Sequence, residues 1–254
     1  TVTRAAPEFS PNSPMATANA MGRMAHEAQI ALDNANRSAN QAEETFTKVA
    51  ITKEVVAETQ THSEAAQAVQ TQWTKDWPED AGIFLNAAVD RAKTASTTAA
   101  TNLMQDYVKK ALEIEAKTLA GTTTVADGLS AVKTVQEKAL KIQLQYAGDP
   151  TTFSTEIQTI ADVVKTLNKA QAELQKVSDL VRMAQDEATI MVNAATTDAV
   201  FAAAAGRASK SIAQATEVAS AWRTGPPSRD ASFLDTPTKK SVESTIAAAK
   251  TLHD

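Results

Sequence analysis

Residues 153–222 read FSTEIQTIADVVKTLNKAQAELQKVSDLVRMAQDEATIMVNAATTDAVFAAAAGRASKSIAQATEVASAW, and this stretch decides the fold. Apolar residues recur along it in alternating steps of three and four, which is the a and d pattern of a heptad repeat. Continued to Trp222, the pattern predicts one helix of about 70 residues, roughly 105 Å long. Its apolar stripe needs partner helices of similar length. The two rows are Phe153, Ile160, Leu167, Leu174, Val181, Ala188, Ala195, Ala202 and Val163, Ala170, Val177, Ala184, Met191.

The N-terminal part of the chain carries the same repeat. Ser13 is a helix-capping residue type and Pro14 suits the first helical position, so a helix is predicted to start here. It is expected to run without a break to about Trp73 and to pair with the long helix. Its inward rows are Met21, Ala28, Ala35, Ala42, Val49, Val56 and Ala25, Leu32, Ala39, Phe46.

Shorter elements are expected beside these two helices. Helices are predicted over residues 79–120 and 125–147, and Asp149-Pro150 is predicted to cap the long helix after Gly148. Residues 1–12 are expected to form a mobile leader, 223–237 an irregular crossing and 238–254 a short helix on the side of the bundle. The inward candidates are Phe84, Ala88, Ala95, Leu103, Tyr107, Leu112, Leu119, Leu129, Val132, Val135, Ala139, Ile142, Tyr146, Val242, Ile246, Ala249 and Leu252.

Composition agrees with an all-α fold. The chain of 254 residues has 7 Gly, 8 Pro and 4% aromatic residues, with long tracts of Ala, Thr, Gln, Glu and Lys, which favour helices over sheets. We therefore predict one elongated antiparallel helical bundle over residues 1–254, in effect a rod. A rod of about 100 Å would have a radius of gyration of roughly 30 Å, against about 18 Å for a compact domain of this length.

Charge and cysteine content restrict the partners. The net charge of −5 disfavours nucleic acid and anionic membranes, which attract clusters of Lys and Arg. Without cysteine the chain has no disulfide or thiolate metal site, and no window is apolar for long enough to span a membrane. The start Thr1-Val-Thr-Arg lacks an initiator Met, which suggests a processed or truncated chain in which any targeting signal or anchor would be missing.

Patterns for catalysis and metal binding are weak. The histidines His26, His62 and His253 lack the spacing of a helical metal site, although Glu58 precedes His62 by one turn. Adjacent acids such as Glu43-Glu44 and Asp186-Glu187 point about 100° apart on a helix, so they are expected to be solvated. We therefore predict a protein that is not an enzyme and uses no cofactor or metal.

Two places are candidate functional sites. The segment with Trp73, Trp77, Pro78 and Gly82 ends the first helix, because the residue before a proline disfavours helical geometry. Its indoles are expected to plug the end of the bundle or, alternatively, to contact a ligand. Together with Gly148, Asp149 and Pro150 this turn is the candidate exposed distal tip. The sequon at Asn36 is a candidate glycosylation site.

The tracts ALDNANRSANQAEE at 31–44 and AATTDAVFAAAA at 194–205, with the lack of cysteine, resemble the alanine-rich and glutamic acid/alanine-rich coat proteins of insect-stage trypanosomes. The layout is more distantly similar to variant surface glycoproteins, which carry disulfides, and to the haptoglobin-haemoglobin receptor. This resemblance implies a non-enzymatic, lipid-anchored rod at the cell surface, a monomer or dimer among neighbouring coat molecules. It would meet the membrane only through an anchor outside this sequence.

Two other functions remain open at this point. A receptor of the same architecture would bind a host or vector macromolecule along a helical face, and an exposed apolar patch would favour it. An intracellular talin-like scaffold would also have helices rich in Ala, Thr, Ser and Gln. Helices of such scaffolds are shorter than the two long helices predicted here.

Overall fold

The computed structural model describes residues 14–48, 50–145, 151–193, 198–225 and 229–253. Every regular element in these ranges is helical, which confirms the all-α prediction. Short 3₁₀ turns lie at Ile83–Leu85 and Ser232–Leu234. The α-helices are α1 (Pro14–Lys48), α2 (Lys53–Asp76), α3 (Asn86–Leu119), α4 (Val125–Gln145), α5 (Ser154–Val192), α6 (Asp198–Thr224) and α7 (Pro237–His253).

The chain divides into two compact units, residues 1–103 and 104–254. Helix α3 contributes its residues 86–103 to the first unit and 104–119 to the second. The predicted single domain over residues 1–254 stays a prediction. The predicted leader, residues 1–12, lies outside the described residues.

The predicted first helix is wrong in length, because it is two helices, α1 and α2. Thr52 has extended backbone angles and its hydroxyl accepts a hydrogen bond from the Val55 N–H at 3.3 Å, so it is the N-cap of α2. Glu54 in the first turn adds a carboxylate where the helix dipole favours one. The heptad pattern is defined by apolar residues alone, so it cannot detect a polar N-cap such as Thr52. The two helices pack against each other.

The predicted 70-residue helix is wrong in the same way. Helix α5 ends at Val192, where the Asn193 N–H donates to the Thr189 carbonyl, and α6 begins at Asp198. Asn193 and Asp198 are both residue types that favour helix ends over helix interiors. Helices α5 and α6 pack against each other as α1 and α2 do. Contacts between Arg207 and Glu187, twenty residues apart, fit an antiparallel hairpin.

The heptad rows are correct inside α5 but lose phase beyond it. Nearly all of the row members from Phe153 to Met191 are buried, whereas Ala202 is exposed and Phe201, Ala204 and Ala208 are buried in its place. Because the helix is interrupted after Val192, the buried face of α6 does not have to continue the heptad positions of α5. In α1, Met21 is 67% exposed although the repeat places it inward. The buried row members of α1 are Ala35, Ala39 and Ala42.

Helix α5 also starts differently from the prediction. Its N-cap is Phe153, which has a left-handed backbone (φ 65°) and provides no side-chain capping bond. Positive φ is costly for a non-glycine residue, so packing must hold it, and the Phe153 ring is indeed buried. Gly148, Asp149 and Pro150, the predicted cap region, lie outside the described residues.

The core of the first unit is built mainly from alanine. Small side chains on α1, α2 and α3 allow the helix axes to approach closely. Larger side chains enter near the end of α2 and at the 3₁₀ turn that precedes α3. The buried cluster is Ala35, Ala39, Ala42, Ala66, Trp73, Leu85, Ala88, Val89, Ala92 and Ala95.

The second unit packs α4, α6 and α7 against α5. Helix α7 buries Val242, Ile246 and Ala249, as predicted, but Leu252 is 89% exposed. Its position against α5 and α6 matches the expected placement along the side of the bundle. Other inward predictions that fail are Phe84 and Leu112, both exposed. Val135 is half-buried, and Tyr146 lies outside the described residues.

Candidate functional site

The turn after α2 is built by backbone and aspartate hydrogen bonds. Trp77 ends the helix, its N–H donating to the Trp73 carbonyl at 2.8 Å, and the Asp80 N–H donates back to the Trp77 carbonyl at 2.9 Å. An Asp80 carboxylate oxygen accepts the Gly82 N–H at 2.8 Å. Gly82 has φ 63°, a left-handed conformation that glycine adopts without strain. The chain thereby turns from α2 into the 3₁₀ turn before α3.

This turn gathers three aromatic rings. The Trp73 ring meets the edge of Phe84 at 5.0 Å between centroids and lies tilted against Trp77 at 5.8 Å. Trp73 is 4% exposed and is thus a core residue, while Trp77 is half-buried. A Cβ on Gly82 would come within 3.0 Å of Trp73 Cδ1, so this glycine also makes room for the indole.

The predicted exposed tip is therefore only partly exposed. Trp73 and Gly82 are buried, which corrects their assignment as exposed residues, and Pro78 is exposed. That the indoles plug the end of the bundle stays a prediction. Whether this turn is distal from a membrane stays a prediction.

Trp77 is tied to α1 by its polar atom. Its Nε1 donates to Glu27 Oε2 at 3.1 Å, and the Arg23 guanidinium lies 5.8 Å from the centre of its ring. Because Arg23 and Glu27 are one turn apart on α1, the helix places a cation over the ring and a carboxylate at its edge. The Trp77 indole thus has a cation and an anion as direct neighbours.

A groove of about 640 Å³ lies between α1 and α2 beside these tryptophans. Its charged side chains are Glu27 and Asp76, and none of its described lining residues is cationic. The remainder of the lining is mostly apolar or small. The lining is Glu27, Ile30, Ala31, Asn34, Ala65, Ala68, Val69, Gln72, Trp73, Asp76 and Trp77.

Asn36, the candidate glycosylation site, belongs to an arginine-centred cluster that the sequence did not reveal. Arg91 of α3 donates two hydrogen bonds to Glu43, at 2.9 and 2.6 Å, and one to Asn40 Oδ1 at 2.7 Å. A longer bond of 3.5 Å reaches Asn36 Oδ1. Asn36, Asn40 and Glu43 lie on one face of α1 at helical spacing, which is the signal that could have indicated a shared partner. Glycosylation of Asn36 stays a prediction.

The Arg91 guanidinium holds the pKa of Glu43 below the usual glutamate value of 4.5, mainly by hydrogen bonding. A carboxylate whose pKa is lowered in the folded state stabilises the fold above the unfolded pKa. That stabilisation is lost as the pH falls through the folded pKa. Both side chains are more than a third exposed, so solvent screening reduces the effect.

We expect Glu43→Gln to lower the free energy of unfolding at pH 7 by about 1 kcal/mol or less. The difference from the unmodified protein should shrink below pH 4.5, because Glu43 is then being protonated in both states. Urea titrations at pH 7, 5 and 3 would measure it. Glu79→Gln, at another exposed glutamate in the same unit, is the control. A difference that persisted at pH 3 would contradict this origin.

The second unit has its own aromatic closure, which the sequence analysis also missed. Trp222 near the end of α6 donates its Nε1–H to the Asp230 carbonyl at 3.0 Å and meets the Phe233 ring edge-on at 5.2 Å. Arg229 donates to Thr166 Oγ1 at 2.8 Å and lies 3.9 Å from Glu115. The predicted irregular crossing therefore contacts residues of α3, α5 and α6.

One member of each acidic pair bonds an arginine of another helix. Glu43 binds Arg91, and Glu187 binds Arg207 of the neighbouring helix at 2.7 and 2.9 Å. That bond lowers the pKa of Glu187. His62 lies 3.8 Å from Glu58, as the one-turn spacing suggested. Across the ranges that the structure describes, no group of three or more metal-ligating side chains occurs.

None of the described helices combines the length and hydropathy needed to cross a lipid bilayer. Comparisons of the chain with protein-family models, curated proteins and solved structures found no significant match.

Proposed function

We propose that this protein is a non-enzymatic component of a cell-surface coat, an elongated helical bundle held at the membrane by a lipid anchor outside this sequence. The observation that carries the proposal is the alanine-built core of α1, α2 and α3. Alanine seams let helices pack at short axial distances, so the hairpins are slender. Slender helical units pack densely side by side, which is what a barrier of many copies requires. The resemblance to alanine-rich trypanosome coat proteins points the same way.

The arrangement of polar contacts also supports a role in shape rather than in chemistry. Arg91 links α3 to α1, Arg207 links α6 to α5, and Arg229, in the segment after α6, bonds to Thr166 of α5. Their partners are carboxylates, amide oxygens and the buried Thr166 hydroxyl, and these contacts position the helices relative to one another. Neighbouring coat molecules are the partners that this proposal implies, with the chain a monomer or a dimer.

A surface receptor for a host or vector macromolecule is the second candidate. Apolar side chains on the outward faces of α4 and α5, including Leu144, Met183 and Val192, are more than half exposed. Exposed apolar surface is a common sign of a protein interface.

An intracellular talin-like scaffold is the third candidate. Helix length does not argue against this scaffold, because α1, α2, α3 and α5 have 24 to 39 residues and are shorter than the helices predicted from the sequence.

Surface labelling of intact source cells tests the location. We expect protease or biotin reagents to modify the protein on intact cells, and phospholipase C to release it into the medium. The control is an abundant cytoplasmic protein of the same cells, which should be labelled only after lysis. Labelling of this protein only after lysis would discard the coat proposal and favour the scaffold.

Antibody mapping tests the orientation. If the turn after α2 is distal, antibodies that bind intact cells should recognise peptides spanning residues 76–81, which contain the exposed Pro78. Antibodies against the buried Trp73 should bind denatured protein only. Epitopes confined to residues 225–254 would reverse the orientation.

A further inference from the structure

We propose that the groove between α1 and α2 binds an alkylammonium cation, that is, an ammonium head group carried on an apolar stem. The inference is independent of the proposed surface role. It depends on the distribution of charge and apolar surface along the groove.

The polar end of the groove has the chemistry of a cation site. Glu27 and Asp76 supply two carboxylates, and the Trp77 indole stands next to them. The Arg23 guanidinium lies 5.8 Å from the centre of the Trp77 ring, but Arg23 does not line the groove. An ammonium group near an indole gains cation–π attraction, and the half-buried Glu27 and the exposed Asp76 add Coulomb attraction, which is stronger at Glu27.

The rest of the groove suits an apolar stem. Because α1 and α2 run antiparallel, Ile30 and Val69 lie further along the groove than Glu27 and Asp76, together with the small Ala31, Ala65 and Ala68. Ile30 is 47% exposed, so the stem would cover apolar surface that water now contacts. A volume of about 640 Å³ accommodates a chain of several carbon atoms.

A groove in the second unit provides the contrast. It lies between α5 and α6, has about 520 Å³ and includes Trp222. Its charges are balanced, with Lys169 and Lys176 opposite Glu173 and Glu217, and the Lys169 ammonium itself lies 5.5 Å from the centre of the Trp222 ring. Because two lysines balance the two glutamates of its lining, this groove has no net negative charge and should not select cations.

The test is a titration of the full chain with hexyltrimethylammonium chloride, followed through the indole N–H signals in ¹H–¹⁵N correlation spectra. The three tryptophans give separate signals, which Trp→Phe variants would assign. We expect saturable shifts of Trp77 and Trp73 with a dissociation constant at or below the millimolar range, and no saturable shift of Trp222. Hexanoate, which has a similar stem and the opposite charge, should not compete.

Charge removal at the groove makes the test specific. Glu27→Gln keeps an acceptor for Trp77 Nε1 and removes the charge, and Asp76→Asn does the same for the second carboxylate. Each should weaken binding at least threefold, and Asp33→Asn, on α1 outside the groove, should leave binding unchanged. Indole N–H signals that appear, without ligand, at the positions seen in the unmodified protein would show that the variants are folded.

Three results would overturn the proposal. They are equal binding of hexanoate, unsaturable shifts of all three indoles, and unchanged affinity in the Glu27→Gln and Asp76→Asn variants.

Discussion

Replacing Trp73 with alanine should lower the free energy of unfolding of the first unit by about 3–5 kcal/mol. Trp73 is 4% exposed and is the largest side chain of a cluster otherwise made mostly of alanine. Alanine neighbours have no rotamers with which to fill the space that the indole would leave, so a cavity should persist. The loss approaches the whole stability of a small domain, and urea unfolding followed through the Trp77 indole signal would measure it.

Trp73→Phe separates packing from polarity. Trp73 Nε1 is buried and has no hydrogen-bond partner among the described residues, a situation that costs free energy in a folded protein. Phenylalanine retains most of the ring contacts with Phe84 and Trp77 and removes that polar atom, so it should cost less than half as much as alanine. Equal losses in the two variants would contradict the packing argument. Met21→Ala on α1 is the matched exposed control and should change stability by about 0.5 kcal/mol or less.

The inward faces of the helices were more predictable from the sequence than the helix ends. Within α5, side chains at heptad positions such as Ile160, Leu167 and Val177 are buried because one stripe faces its neighbours along the whole helix. Periodicity therefore predicts the helix class and the inward face well. It cannot predict where a helix stops when the stop is a polar cap. Thr52 begins α2 and Asn193 ends α5, yet the heptad pattern places both inside a long helix.

The candidate site was predictable in place but not in detail. Pro78 and the two nearby tryptophans marked the turn after α2 from the sequence alone. The partners of Trp77 were not visible, because Glu27 is fifty residues away and becomes a neighbour only when α1 and α2 fold back on each other. Arg91 was missed for the same reason. Its three partners on α1 lie on one helical face, but their spacing does not predict which helix packs against that face.

Gly128→Ala should destabilise the second unit by about 1–2 kcal/mol, although alanine is the better helix former. Gly128 lies in α4 against Thr118 of α3, whose side chain is fully buried. A Cβ at position 128 would overlap Thr118 Oγ1 and lie 3.0 Å from its Cγ2 and 3.1 Å from its Cβ. Rotating the threonine moves its hydroxyl and methyl but leaves its Cβ in place. The threonine hydroxyl is also bonded to the Ile114 carbonyl at 2.7 Å, so α4 has to move away.

Gly206→Ala provides the opposite expectation in the same unit. A Cβ there meets no atom within 4 Å, and the glycine lies inside α6, so alanine should stabilise the unit by about 0.5–1 kcal/mol through helix propensity. Trp222 reports on the unfolding of this unit in both variants. The double variant Thr118→Ala with Gly128→Ala should lose less stability than the two single changes added together, because the hydroxyl and methyl in the overlap are gone. If Gly128→Ala stabilised the unit as Gly206→Ala is expected to, the close approach of α4 to α3 at Thr118 would be wrong.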